Sequence, residues 1–178
     1  MKKKLWFLFL IIVLIGFIYI VNNNQTIEHQ TSNKVDLNLN TNIQLENNKE
    51  YIITNATILD NFKSIELRDE ITIDGQGNTI TYNGTDDWTG LFKPVANIKN
   101  VTIKNINLVL GNDNNQVNIA KEQGGILGSS SGINGCKINI ENCSVTGNYN
   151  IGKKAGGICG YAACYYGECN VNNCYSTG

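Results

Sequence analysis

The chain has 178 residues, room for one ordinary domain or for a smaller one plus an anchor, and too few for a multidomain enzyme. Fourteen Lys and Arg against 15 Asp and Glu give a net charge of −1, and charged residues make up 16% of the chain, so no basic stripe for nucleic acid is present. A single Arg (Arg68), a single His (His29) and a single Pro (Pro94) exclude chemistry that needs several imidazoles or guanidinium groups, while 29 Asn, 24 Ile and 18 Gly set the character of the rest.

Lys2, Lys3 and Lys4 precede an uninterrupted apolar run, Leu5 to Val21, in which only Gly16 is neither aliphatic nor aromatic. At ~1.5 Å per residue this run spans about 25 Å, enough to cross a thin bilayer with little tilt. A cleaved signal peptide is the alternative. Such a segment usually ends in small residues, whereas Ile18, Tyr19, Ile20 and Val21 run straight into Asn22, Asn23 and Asn24. We therefore expect an uncleaved signal-anchor transmembrane helix within residues 1–21, with the membrane as partner of residues 5–21. Three lysines before the segment and none after it until Lys34 place the N-terminus in the cytoplasm. The remainder is then extracytoplasmic, at a cell surface, in an organelle lumen or on a virion envelope. Residues 22–42 are polar, with Val35, Leu37 and Leu39 as their only alternating stretch, and read as a stalk. His29 stands in it as a solvated surface residue.

Residues 43–178 repeat. GGILG (Gly124 to Gly128) recurs 32 residues later as GGICG (Gly156 to Gly160). INIENCSVTG (Ile138 to Gly147) recurs in shortened form as VNNCYSTG (Val171 to Gly178), with Asn142-Cys143 matched to Asn173-Cys174. A weaker copy, VTIKNINLVLG (Val101 to Gly111), aligns when Asn105 is laid on Asn142, and Gly90-Leu91-Phe92 can be laid on Gly125-Ile126-Leu127. ITIDGQGNTI (Ile71 to Ile80) is a further candidate turn. Within each unit the apolar residues alternate with the two-residue period of half-buried strands, and the alternation shifts phase at Asn105 and Asn142. A corner at each Asn lets residues on both sides point inward, because Asn tolerates left-handed backbone and its amide bonds nearby groups. Stacked Asn residues would also bond one another. An AT-rich coding sequence is a second source of Asn, and both stay open.

No stretch after Val21 keeps a helical apolar period, and Thr, Val, Ile, Asn and Gly are poor helix formers. A sandwich gives no reason for a repeated GGI-x-G. A coil of parallel strands does, since small Gly permits tight corners and equivalent apolar residues pile into interior ladders. The expected fold is all-β, a right-handed parallel β-helix of about four turns after the N-terminal transmembrane helix. ITIDGQGNTI followed by GLF and VTIKNINL resembles the start of a parallel β-helix of the pectin-lyase-like family. GGI-x-G followed by NC-x-x-x-G resembles the GLUG-type repeats of bacterial surface proteins, and similar Asn- and Ile-rich coils occur in proteins of large DNA viruses.

The pectin-lyase-like resemblance implies polysaccharide chemistry only if its machinery is present. Its hydrolase branch would require aspartates on adjacent turns, a Gly-His-Gly segment and an Arg-x-Lys pair; the sequence holds neither of the last two. The lyase branch would require calcium-binding carboxylates beside a basic residue. Asp86 and Asp87 are adjacent, with Lys93 near in sequence, and Trp88 and Tyr82 could offer an aromatic platform. Asp86, Asp87 and Trp88 are thus the candidate sugar or calcium contacts, against the plainer reading of a solvated turn with Trp88 covering the coil. Asp74 to Asn78 is a tight turn; no helix follows it to bind phosphate.

All six cysteines fall between Cys136 and Cys174, spaced too widely for zinc pairs and without histidine, so no metal or other cofactor is expected. Cys143 and Cys174 share a repeat position, which in a coil puts their Cα atoms ~4.8 Å apart, within disulfide range. A disulfide there and a reduced interior ladder are both open. Among five Asn-x-Ser/Thr sequons, Asn24 and Asn83 are the better glycosylation acceptors, because Asn100 and Asn142 fall at corners. The expected function is a membrane-anchored, non-catalytic binding or structural module serving adhesion, glycan contact or an envelope role, with a glycan or protein surface as partner. Self-association through an open C-terminal coil end is expected as well. The alternatives are a degenerate polysaccharide lyase or hydrolase, tested by Asp86→Ala and Asp87→Ala, and a truncated remnant of a longer repeat protein.

Overall fold

The computed structural model describes residues 34–129 and 135–178. Among them the regular structure is all β, in four parallel sheets, with no helix. The run Leu5 to Val21 and the candidate acceptor Asn24 lie outside the described residues, within which no helix is long and apolar enough to cross a membrane.

Short strands rich in Ile, Val and Thr, broken by Gly and Asn, cannot be stable alone; each needs a neighbour for its ladder groups. Here each finds it one repeat away. The first sheet stacks β1 (Lys34–Asp36), β2 (Glu50–Ile52), β5 (Thr72–Asp74), β8 (Val101–Lys104), β11 (Lys137–Glu141) and β14 (Glu168–Asn172), in that order. The second stacks β3 (Thr57–Leu59), β6 (Thr79–Tyr82), β9 (Asn107–Leu110), β12 (Ser144–Gly147) and β15 (Tyr175–Thr177). Two shorter sheets pair β4 (Ile65–Glu66) with β7 (Phe92–Lys93), and β10 (Val117–Ile119) with β13 (Tyr149–Ile151). Every strand pairing among the described residues is parallel, which is compatible with a β-helix.

Register follows from the alternation. Tyr51, Ile73, Ile103, Ile140 and Val171 stand opposite one another in the first sheet, at intervals of 22, 30, 37 and 31 residues. Ile80, Leu108 and Val145 form the matching column in the second. Both columns are buried through their middle members, and burying one such side chain stabilises by about 1.5–3 kcal/mol. A slip by one residue would turn every one of them outward. The outward face of the first sheet adds a second constraint: Lys34 sits opposite Glu50, Asp74 opposite Lys104 and Lys137 opposite Glu168, each as an ion pair of 3.4–3.5 Å. Such exposed pairs contribute little stability, but like charges in those positions would repel.

The ladders are longer than the sequence repeats implied. The first sheet has six strands where about four turns were expected, and β1 falls inside the expected stalk. Leu37 and Leu39 are 6% and 4% exposed, and the Leu37 N–H donates to the Ile52 carbonyl at 2.8 Å. Residues 34–42 therefore belong to the folded unit, because their short alternation is a strand edge with a partner waiting at β2.

Candidate functional site

Corners set the geometry of everything the fold presents. Asn105, Asn142 and Asn173 each adopt left-handed backbone, with φ of 56°, 52° and 49°. Their amides form a chain: Asn173 Nδ2 donates to Asn142 Oδ1 at 2.7 Å, Asn142 Nδ2 to Asn105 Oδ1 at 3.3 Å, and Asn105 Nδ2 to Asp74 Oδ1 at 3.0 Å. Burial acts to raise the Asp74 pKa. The bonds from Asn105 and the Gln76 N–H, with the charge of Lys104, outweigh it, and the net shift is downward. Glycine lines a second stack of close backbone approaches. Gly124 bridges Gly156, Leu127 bridges both Phe92 and Cys159, and the Gly125 N–H donates to the Gly157 carbonyl at 3.1 Å.

The loop holding Asp86, Asp87 and Trp88 divides in two. Trp88 is 2% exposed; its Nε1 donates to the Gly125 carbonyl at 2.8 Å, and its ring stacks on Phe62 and tilts against Tyr82. It covers the core and offers no open face to a sugar. Asp86 and Asp87 are exposed. The Asp86 carbonyl accepts from the Tyr82 hydroxyl at 3.1 Å, and Asp87 Oδ1 from Asn118 Nδ2 at 3.4 Å. Burial, then the Asp86 charge, raises the Tyr82 pKa. Among the described residues no group of three or more His, Cys, Asp or Glu is arranged to hold a metal ion. Asn83, the described acceptor candidate, is half-buried, and its Oδ1 accepts from Asn112 Nδ2 at 3.2 Å.

Cys143 and Cys174 do share a repeat position, since the strands that follow them pair Ser144 with Tyr175. Both are free thiols. The Cys143 N–H donates to Cys174 Sγ at 3.3 Å, while Cys143 Sγ is turned to the Glu141 carbonyl at 3.2 Å. Burial pushes the Cys143 thiol up to about 12. In the last repeat the Cys159 and Cys169 sulfurs are 3.8 Å apart.

Sequence reasoning missed one feature: a groove of about 690 Å³ between residues 39–44 and 58–68. Asp60, Glu66 and Arg68 bring charge to it, Asn40 an amide, and Phe62 and Ile58 apolar surface. Ile58 is 63% exposed. Arg68 Nη1 lies 3.5 Å from Glu66 Oε2 and donates to the Leu67 carbonyl at 3.1 Å. The groove adjoins the Asp86–Trp88 loop, because Phe62 stacks on Trp88 and Ser64 Oγ is 2.9 Å from Thr89 Oγ1. Its size is that of ordinary small-ligand sites, and carboxylate, amide and guanidinium groups beside an aromatic ring suit a ligand rich in hydroxyls. The one available signal was Arg68, the only guanidinium in the chain.

Comparison with known proteins gives no match: no family model, no curated protein and no solved structure matches this chain.

Proposed function

We propose that this chain is a single-pass membrane protein carrying a closed, right-handed parallel β-helix, of pectin-lyase-like form with GLUG-type repeats, on the far side of the membrane. The coil serves as a non-catalytic binding module for adhesion or glycan contact on a cell, organelle or virion surface. The observation that carries this is the polar groove over Phe62, framed by Asp60, Glu66 and Arg68, on a scaffold whose parallel pairings recur repeat after repeat. A rigid ladder holds such groups in place without ordering them at each encounter, which keeps the entropy cost of binding low. The apolar run Leu5 to Val21 after three lysines supports the anchor and its orientation.

Retention of detergent-solubilised full-length protein on a panel of immobilised neutral and acidic glycans tests the proposal. Wild-type protein is expected to be retained by at least one hydroxyl-rich class, with about tenfold weaker binding for Asp60→Ala and Arg68→Ala and no change for Lys121→Ala. No retention by any glycan, or equal retention of all variants, would remove the groove from the account.

A further inference from the structure

The cysteines of the last repeat are grouped by two inward-facing columns. Cys159 bridges Leu127, which itself bridges Phe92. Cys169 stands opposite Ile138, which is itself opposite Val101. Phe92, Leu127, Val101 and Ile138 are all fully buried, so both columns point into the core. In the last repeat each column ends in a cysteine. Their sulfurs come to 3.8 Å where bulkier side chains would keep the two walls apart. The intervening segment turns back through left-handed backbone at Ala162 and Tyr166 and is pinned by the Gly167 N–H donating to the Cys164 carbonyl at 2.8 Å. The Cys164 thiol, carried by that segment, interacts with those of Cys169 and Cys136. Cys169 is thus flanked by two thiols, and it is half-buried rather than sealed.

We propose that Cys169 is the centre of a thiol–disulfide exchange site, oxidised to a Cys159–Cys169 bond with Cys164 as the alternative partner. Closing 3.8 Å to the ~2.05 Å of a disulfide is within reach of a side-chain rotamer change. Thiols donated by Cys159 and then Cys164 hold the Cys169 pKa well below the usual thiol range against the effect of burial, which makes it the nucleophile of the three. The oxidant is a small disulfide of the glutathione class. The Cys169 thiolate attacks one of its sulfurs, that S–S bond breaks, and the electron pair leaves with the first small thiolate. Cys159 then loses its proton to water, attacks the Cys169 sulfur of the mixed disulfide and expels the second small thiolate. One external disulfide is reduced to two thiols as two protein thiols become one disulfide. Cys143, buried, with its thiol pushed up to about 12, stays out of the exchange.

The test is disulfide mapping of full-length protein equilibrated in oxidised and reduced glutathione, quenched in acid. Chymotryptic cleavage after Tyr161 and Tyr166 separates Cys159, Cys164 and Cys169, and fragmentation tells Cys169 from Cys174. The expected product is Cys159 linked to Cys169, moving to Cys164–Cys169 in Cys159→Ser, with Cys143 free throughout. Alkylation of the native reduced wild type gives a second readout that needs no variant: Cys169 is expected to react at least about tenfold faster than Cys143. A Cys143–Cys174 link with Cys169 free, no disulfide in oxidised buffer, or thiols exposed only after removal of a bound zinc ion would each overturn the proposal.

Discussion

Asparagine at the corners acts through its backbone and its amide together. Half of the twelve non-glycine residues with left-handed φ among the described residues are Asn, so part of the Asn excess is conformational, whatever codon bias adds. Asn142→Ala places an alanine in left-handed backbone and removes bonds to Asn105 and Asn173. A loss of about 1–2 kcal/mol is expected, with Asn142→Gly costing less because glycine keeps the φ. Urea midpoints of the two variants check the order. Asp74, at the base of the same ladder, has a folded pKa below the 3.8 of a free aspartate side chain. Its stabilisation is complete above that value and is lost as pH falls through the folded pKa. Unfolding midpoints should therefore drop below about pH 4 more steeply in wild type than in Asp74→Asn; identical acid limbs would contradict the role given to this carboxylate. The corner was legible from the phase shift at Asn105 and Asn142. Which sulfurs meet was not, since equal repeat position placed Cys143 beside Cys174 without fixing where either thiol points.

At the scale of elements, the GGI-x-G repeat was legible because its physical cause is local: two backbones pass too closely for a side chain. A Cβ on Gly125 would strike the Gly157 carbonyl oxygen and come within 2.7 Å of a Val145 methyl. Gly125→Ala is expected to destabilise by about 1–3 kcal/mol or to abolish folding, while alanine at Gly77, where a Cβ meets nothing, costs only the strain of its φ of 76°. Thermal melts of the pair distinguish crowding from conformational strain. The early strands were not legible. β1, β2 and β3 carry no glycine motif and return at 16-, 22- and 23-residue intervals, so nothing in the sequence marked them as copies of the later repeats. The groove was hidden for the same reason, its two walls coming from segments that only strand register brings together.

At the scale of the whole molecule, the sequence and the structure supply complementary halves. Under the proposed function the apolar run Leu5 to Val21 with its flanking lysines is the membrane anchor, and the parallel ladders are what it carries on the far side. An amine reagent that cannot cross membranes tests that union most directly, because Lys121, Lys153 and Lys154 are exposed on the folded part and Lys2, Lys3 and Lys4 lie before the anchor. On intact cells or virions, modification of the first three lysines with Lys2 to Lys4 reacting only after permeabilisation is the predicted result; on isolated organelles, whose lumen would hold the coil, the order reverses. Labelling of Lys2 to Lys4 on intact cells or virions while Lys121, Lys153 and Lys154 stay protected would contradict it.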